Sequence, residues 1–377
     1  MRNAKTLLIL AAITVMVVVA AIVSRQESTA IPRQGESLFP KLMADINDTV
    51  EVVGASKGNT FTLTRRDGRW VVKERSDYPA DADRVQELLV GTAQLRRVEP
   101  KTRKPDLYAK LGVEDIDHEK STSVKIALKN AAGATLAELI VGQSRWSKGD
   151  PSQREYYVRL PQDPQAWLVE GQIPEEKSPS KWLDDEVLGL DSARVREVSV
   201  THADGHTVVV RRSDPKEDDF ELVGLPKGAE VESVYKINSI GNTLTNLTLD
   251  DVKPAAAVSF EKRSGLSVVL KTFDGLAVTM QTTKDDDRTL ARFSAAFDPP
   301  LMHKKVSDKP QAKTEASSSN NEGKLKTADA VKQEIKKLNN RWEGWAYIVP
   351  KYRVDDLAKR KSELIKVSKK SKKTKGG

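Results

Sequence analysis

Cysteine is absent from the 377 residues, which excludes disulfide frameworks, thiolate zinc sites and cysteine nucleophiles together. An envelope location stays compatible, because oxidising compartments permit disulfides without requiring them. Histidine is scarce as well, with only His118, His202, His206 and His303. His202 and His206 have the i, i+4 spacing that binds zinc on a helix, but Asp204-Gly205 between them reads as a hairpin turn, where that spacing loses its meaning. Both are expected to be exposed turn residues. His303 falls in a polar insertion and His118 in a polar connection, so neither is expected to face a pocket.

The remaining routes to catalysis are equally thin. Ser-x-x-Lys occurs at Ser178–Lys181 and Ser233–Lys236, the spacing that puts a serine nucleophile one helical turn from an activating amine, but neither Ser-Asp-Asn nor Lys-Thr-Gly completes the set. Carboxylates cluster at Asp184-Asp185, Glu217-Asp218-Asp219, Asp285-Asp286-Asp287 and Asp355-Asp356. Adjacent side chains on a strand or helix diverge, so these read as solvated loops rather than acid–base pairs. Asp285–Asp287 also lacks the spaced carboxylates and glycine of a calcium loop. No enzyme activity, metal or cofactor is expected. Aromatic residues make up 5% of the chain, and most of the six tryptophans (Trp70, Trp146, Trp167, Trp182, Trp342 and Trp345) sit where a large apolar group packs a small core. Trp146, in a polar run, is the best candidate for an exposed aromatic.

Charge is distributed unevenly. The net charge is +8, and the segment from Lys351 onward holds eleven Lys or Arg against three Asp or Glu, so the first 350 residues are formally neutral. The basic excess therefore belongs to a tail, and no basic groove for nucleic acid is implied. Its end, KVSKKSKKTKGG, offers Lys366, Lys369, Lys370, Lys372, Lys373 and Lys375 for an anionic surface such as lipid head groups or acidic wall polymer.

Thr6–Val23 lacks charge entirely. As a helix, such a run spans roughly 27 Å, close to the hydrocarbon thickness of a bilayer. Arg2 and Lys5 precede it, which places the amino terminus in the cytoplasm and the rest outside. A cleaved signal would have a shorter apolar region, and the one small-residue cleavage site lies inside this run, so a retained anchor is expected, with Leu7, Ile9, Val17 and Val23 in the bilayer.

Beyond a polar linker the pattern occurs twice. Phe61 and Leu63 alternate with polar residues, then Asp67-Gly68 turns into Trp70-Val71-Val72, a β-hairpin. Val208, Val210 and Phe220–Val223 form its counterpart around a longer acidic turn. Val85, Leu88, Leu89, Thr92 and Leu95 share one helical face, largely reproduced by Val234, Ile237, Gly241, Leu244 and Leu247. A second strand pair follows in each copy, Val124–Leu128 with Leu136–Val141 and Leu266–Leu270 with Leu276–Met280, and closing strands contain Trp167-Leu168-Val169 and Trp345–Val349. Between strands of the second copy, Pro299 to about Ala330 is polar and Ser/Lys/Asn-rich, too poor in apolar groups to order itself.

Through GRWVV, PADADRVQELL, DLYAKLGVED, SVKIALKN and SPSKWLDDEVLGLD, the chain resembles the family known as domain of unknown function 4340, over roughly residues 55–300. The resemblance implies an uncleaved amino-terminal helix, tandem modules and company with gliding-motility-type ABC transport components. It supplies no catalytic residues, and it says nothing of the tail or the insertion.

The expected architecture is α+β: a membrane anchor (1–24), a linker (25–48), two tandem repeats of antiparallel sheet with one packed helix each (49–190 and 191–358, the second with a disordered insertion at 299–330), and a Lys-rich tail (359–377). The expected role is a non-catalytic accessory or scaffold module, single-pass in the cytoplasmic membrane with its bulk periplasmic or extracytoplasmic, docking on the proteins of an ABC-type transport or gliding-like complex. The rival expectation is a cell-wall or polysaccharide-binding module attached through the tail.

Overall fold

A computed structural model describes residues 35–260, 265–299 and 325–366. The expected anchor, including Leu7, Ile9, Val17 and Val23, lies outside the described residues, as do Lys369, Lys370, Lys372, Lys373, Lys375 and most of the insertion. Among the described residues no helix is long and apolar enough to cross a membrane.

Along the chain come β1 (Thr49–Ser56), β2 (Asn59–Arg66), β3 (Arg69–Val72), β4 (Tyr78–Pro79), α1 (Ala82–Gln94) and β5 (Arg96–Pro100). A 3-10 helix at Pro105–Lys110 precedes β6 (Val124–Asn130), β7 (Thr135–Trp146), β8 (Arg154–Arg159) and β9 (Ala166–Gly171). There follow β10 (Glu186–Leu188), β11 (Val195–Thr201), β12 (Thr207–Arg211), β13 (Glu221–Leu222), α2 (Val234–Gly241), β14 (Leu247–Thr248) and β15 (Asp251–Pro254). The chain closes with β16 (Ser267–Thr272), β17 (Leu276–Asp285), β18 (Arg288–Phe297), α3 (Ala328–Trp342), β19 (Trp345–Ile348) and α4 (Lys351–Leu357).

Packing divides the chain into two compact units. One holds Asp83–Lys177 with the described residues up to Thr60, the other Phe61–Ala82 with the described residues from Ser178 onward. Packing therefore groups 61–82 and 178–190 with the second unit, whereas the sequence pattern groups them with the first. Aromatic contact explains this: the Phe61 ring lies 4.8 Å from that of Trp182, and Tyr78 meets Trp345 edge-on at 5.0 Å.

In the first unit six strands lie in the order β1-β6-β7-β8-β9-β5, all antiparallel. Alternation fixes the register: Val52 faces Leu128, which faces Ala137, and all three are buried. A one-residue slip would turn this row to solvent. α1 buries Val85, Leu88 and Thr92, and Thr92 Oγ1 donates to the Leu88 carbonyl at 2.7 Å.

In the second unit the strand order is β13-β12-β11-β16-β17-β18-β19-β15. Val210, Val198, Leu270 and Val278 form a fully buried row across four strands. Each such side chain contributes about 1.5–3 kcal/mol relative to exposure.

The helices depart from expectation in this unit. α2 stops at Gly241, so Leu244 and Leu247 lie beyond it. A Cβ on Gly241 would come within 2.5 Å of the Phe220 ring, so the helix ends where only glycine fits against that ring. One helix was expected here, and α3, α4 and a short helix at Lys361–Leu364 are added. α3 opens inside the segment expected to be unordered, where the Thr327 side chain caps it by accepting from the Ala330 N–H. Val331 and Trp342 anchor it, and the Asn339 side chain bonds both the N–H and C=O of Ala295 on β18, at 2.8 and 2.9 Å. That amide does for β18 what a neighbouring strand would.

Candidate functional site

One concavity in the first unit is built by the loop between β5 and β6. Pro105 sets the first turn of the 3-10 helix, and Gly112, at φ 68°, reverses the chain. The Leu111 carbonyl then accepts from Gln143 N–H at 2.9 Å, beside the irregularity in β7 between Val141 and Ser144. The reversal buries Val113 with Tyr108, Ile140 and Ala166, and so carries Glu114 inward behind it.

Arg159, the last residue of β8, organises the floor. Only 4% exposed, it donates from Nε to the Val113 carbonyl at 3.1 Å and from Nη2 to Asp115 Oδ1 at 2.5 Å. Its guanidinium lies 4.7 Å over the Tyr108 ring. The Tyr108 hydroxyl donates to the Pro164 carbonyl at 2.6 Å, and burial raises its pKa above the ordinary phenol value. Around this floor Asp106, Glu114, His118 and Pro161 help to line a cleft of about 700 Å³.

Glu114 is the unusual member. The residue is 7% exposed, and its Oε2 is buried with no hydrogen-bond partner. The nearby hydroxyls do not serve it, because Ser123 Oγ donates to the Glu114 main-chain carbonyl at 2.8 Å and pairs with Ser121 Oγ at 2.7 Å. Asp115 engages Arg159, and among the described residues Asp106 and Glu114 have no ion pair. The cleft thus presents acceptors and negative charge to a group that brings donors.

Most residues singled out in the sequence are placed elsewhere, and two expectations are corrected. His118, expected to lie away from any pocket, lines this cleft. His202 is also corrected: it is buried rather than exposed, because the hairpin that joins it to His206 folds its ring inward, 5.7 Å from the His206 ring. It lines a smaller cavity of about 190 Å³ with Phe260, Gln281 and Arg292. His303 lies outside the described residues. Ser178 pairs with Ser180, and Lys236 forms an ion pair with Glu232 rather than meeting Ser233. Asp285 pairs with Lys253 at 2.5 Å, and Asp184 with Arg341 at 3.3 Å. Lys366, the one candidate tail lysine within the described residues, pairs with Glu230 at 2.5 Å. Trp146 is 59% exposed, with the Arg154 guanidinium 5.0 Å over its ring.

Sequence reasoning missed Glu114, Arg159 and Tyr108 as a set. The one local signal was Gly112 inside an otherwise ordinary connection. Compared with known families, residues 70–267 match the model described as Domain of unknown function (DUF4340). Neither the curated proteins nor the solved structures offer a match to the chain.

Proposed function

We propose, from the premise that this chain belongs to the family described as Domain of unknown function (DUF4340), that it is a membrane-anchored extracytoplasmic contact module, built twice on one plan, that docks on the proteins of a transport complex. The observation that carries the contact role is Glu114. A buried carboxylate oxygen without a partner costs on the order of 1–3 kcal/mol, a penalty that a bound group supplying a donor removes. Such a cost in the wall of an open cleft is what a recognition site carries before it is filled.

The duplication is supported by strand order: β1-β6-β7-β8-β9-β5 in one unit and β11-β16-β17-β18-β19-β15 in the other. The anchor rests on the uncharged run at Thr6–Val23 and on the positive residues ahead of it. The partner class rests on family resemblance alone. Co-purification of the full chain from its native membrane in mild detergent tests the reading. Recovery with transport subunits is expected; recovery alone, in several detergents, overturns it. Reporter fusions beyond Arg25 that report from the cytosol would overturn the topology.

One observation favours a second reading, a wall- or polysaccharide-binding module. Trp146 is exposed and stacked with the half-buried Arg154, a suitable platform for a sugar face. Sedimentation with purified wall material, lost on deleting residues 366–377 or in Trp146→Ala, would support it over the first.

A further inference from the structure

We infer that the cleft formed by Tyr108, Glu114 and Arg159 binds an organic cation, an ammonium or guanidinium group on an aliphatic stem, with the Glu114 carboxylate as its anchoring acceptor. The inference rests on reading the cleft as a contact site and adds the chemistry of what enters it.

Charge gives the sign. Three carboxylates, Asp106, Glu114 and Asp115, line the cleft against one guanidinium. Arg159 is committed to Asp115 and to the Val113 carbonyl, at 2.5 and 3.1 Å, so two carboxylates remain to face an incoming group. An anion would meet them unscreened. A neutral donor would satisfy Glu114 but leave the charge unanswered, whereas a cation answers both.

Shape gives the stem. Beyond the carboxylates, Pro105, Ala109, Pro161 and Pro164 line the cleft together with the polar Gln162 and His118, and the short apolar surfaces suit methylenes. The Tyr108 ring is not free to stack a ligand, since Arg159 already covers it at 4.7 Å. Recognition therefore falls to Glu114, with Asp106 as the second carboxylate.

The same chemistry occurs in a lysine or arginine side chain of a protein segment and in a free polyamine, and the experiment separates them. The full chain in detergent micelles is titrated into fluorescein-labelled Gly-Lys-Gly, Gly-Arg-Gly and Gly-Gln-Gly, followed by anisotropy, with spermidine as competitor. The lysine and arginine peptides are expected to bind and the glutamine peptide not to. Glu114→Gln is expected to weaken binding by about tenfold to a hundredfold, and Asp106→Asn by less. Displacement by spermidine well below the dissociation constant of the lysine peptide assigns a free polyamine; displacement only above it assigns a side chain. Either result supports the inference. Equal binding of the glutamine peptide, or unchanged affinity in Glu114→Gln with an unchanged melting temperature, overturns it. If Glu114→Gln does not fold, Asp106→Asn decides, since no loss there removes the charge argument. Co-purification with transport subunits alongside failed peptide binding would overturn this inference alone.

Discussion

Two of the buried arginines, one from each unit, have opposite surroundings. Arg194 in the second unit is 4% exposed and is met from both sides: Asp274 at 2.7 Å, with its side chain fully buried, and Glu334 at 2.8 Å. Thr272 and the Lys326 N–H complete the Asp274 shell. Arg159 in the first unit is equally buried, but its one carboxylate partner, Asp115, is 71% exposed, and the neighbouring Glu114 is left with a buried oxygen unpaired. A closed network holds elements together, here tying α3 and the chain at Lys326 to the β16–β17 turn. An open one leaves free energy to be recovered by something outside the fold. The difference separates a structural ion cluster from a recognition site more sharply than burial alone does.

The comparison breaks first at Arg194. Arg194→Met strands Asp274 in the core and leaves Glu334 to Lys326 alone, 2.9 Å away, and should cost about 3–5 kcal/mol in urea unfolding. Burial opposes ionisation of Asp274 and Glu334, but the hydrogen bonds from Arg194 outweigh it, so both carboxyls lie below their ordinary range. Because the folded values lie below the unfolded ones, their stabilisation is fully present above about pH 4.5 and is lost as pH falls through the folded values. The wild-type chain should therefore show an acid loss that Arg194→Met lacks. A small cost and an unchanged acid branch would mean that the network is not a fastening.

Arg159→Met should cost much less, about 1–1.5 kcal/mol, since the carboxylate it leaves is already in solvent. Equal costs at Arg159 and Arg194 would erase the distinction. Glu114→Leu should go the other way, raising stability by about 1 kcal/mol by removing an unpaired polar group. Destabilisation on that change would show that Glu114 is part of the fold's own fastening.

How much of this was legible in the sequence follows from what each feature depends on. The strands were readable because Val208 and Val210, or Leu276, Val278 and Met280, alternate against a single buried face. The Asp67-Gly68 turn was readable because both residues take positive φ, 49° and 78°, as an Asp-Gly pair does in a tight hairpin. α3 was missed although Val331, Ile335, Leu338 and Trp342 have helical spacing, because its charge and the polar stretch before it masked that period. The cleft was not readable at all. It joins residues 105–118 to 159–164 through a strand pairing, and a carboxylate left without a donor looks in sequence like any other in a polar connection. His202 failed for a related reason, since a hairpin turn usually faces solvent, and this one packs against the segment at Lys359 and Arg360.

That packing supplies the smallest effect, and the one confined to the second unit. Burial lowers the pKa of His202, with the positive charges of Arg360 and His206 adding to it. The ring is thus kept neutral in the fold while the unfolded chain takes up a proton near the ordinary value of 6.5. Between that value and the lower folded one the unfolded state binds more protons, so stability falls as pH falls, and is restored above it. The melting temperature should decline modestly from about pH 7.5 to about pH 5.5, and His202→Gln should flatten that slope while leaving the acid branch of the Asp274–Glu334 cluster intact. An unaltered slope in the variant would place the titration elsewhere, and would remove His202 from the features that set the two units apart.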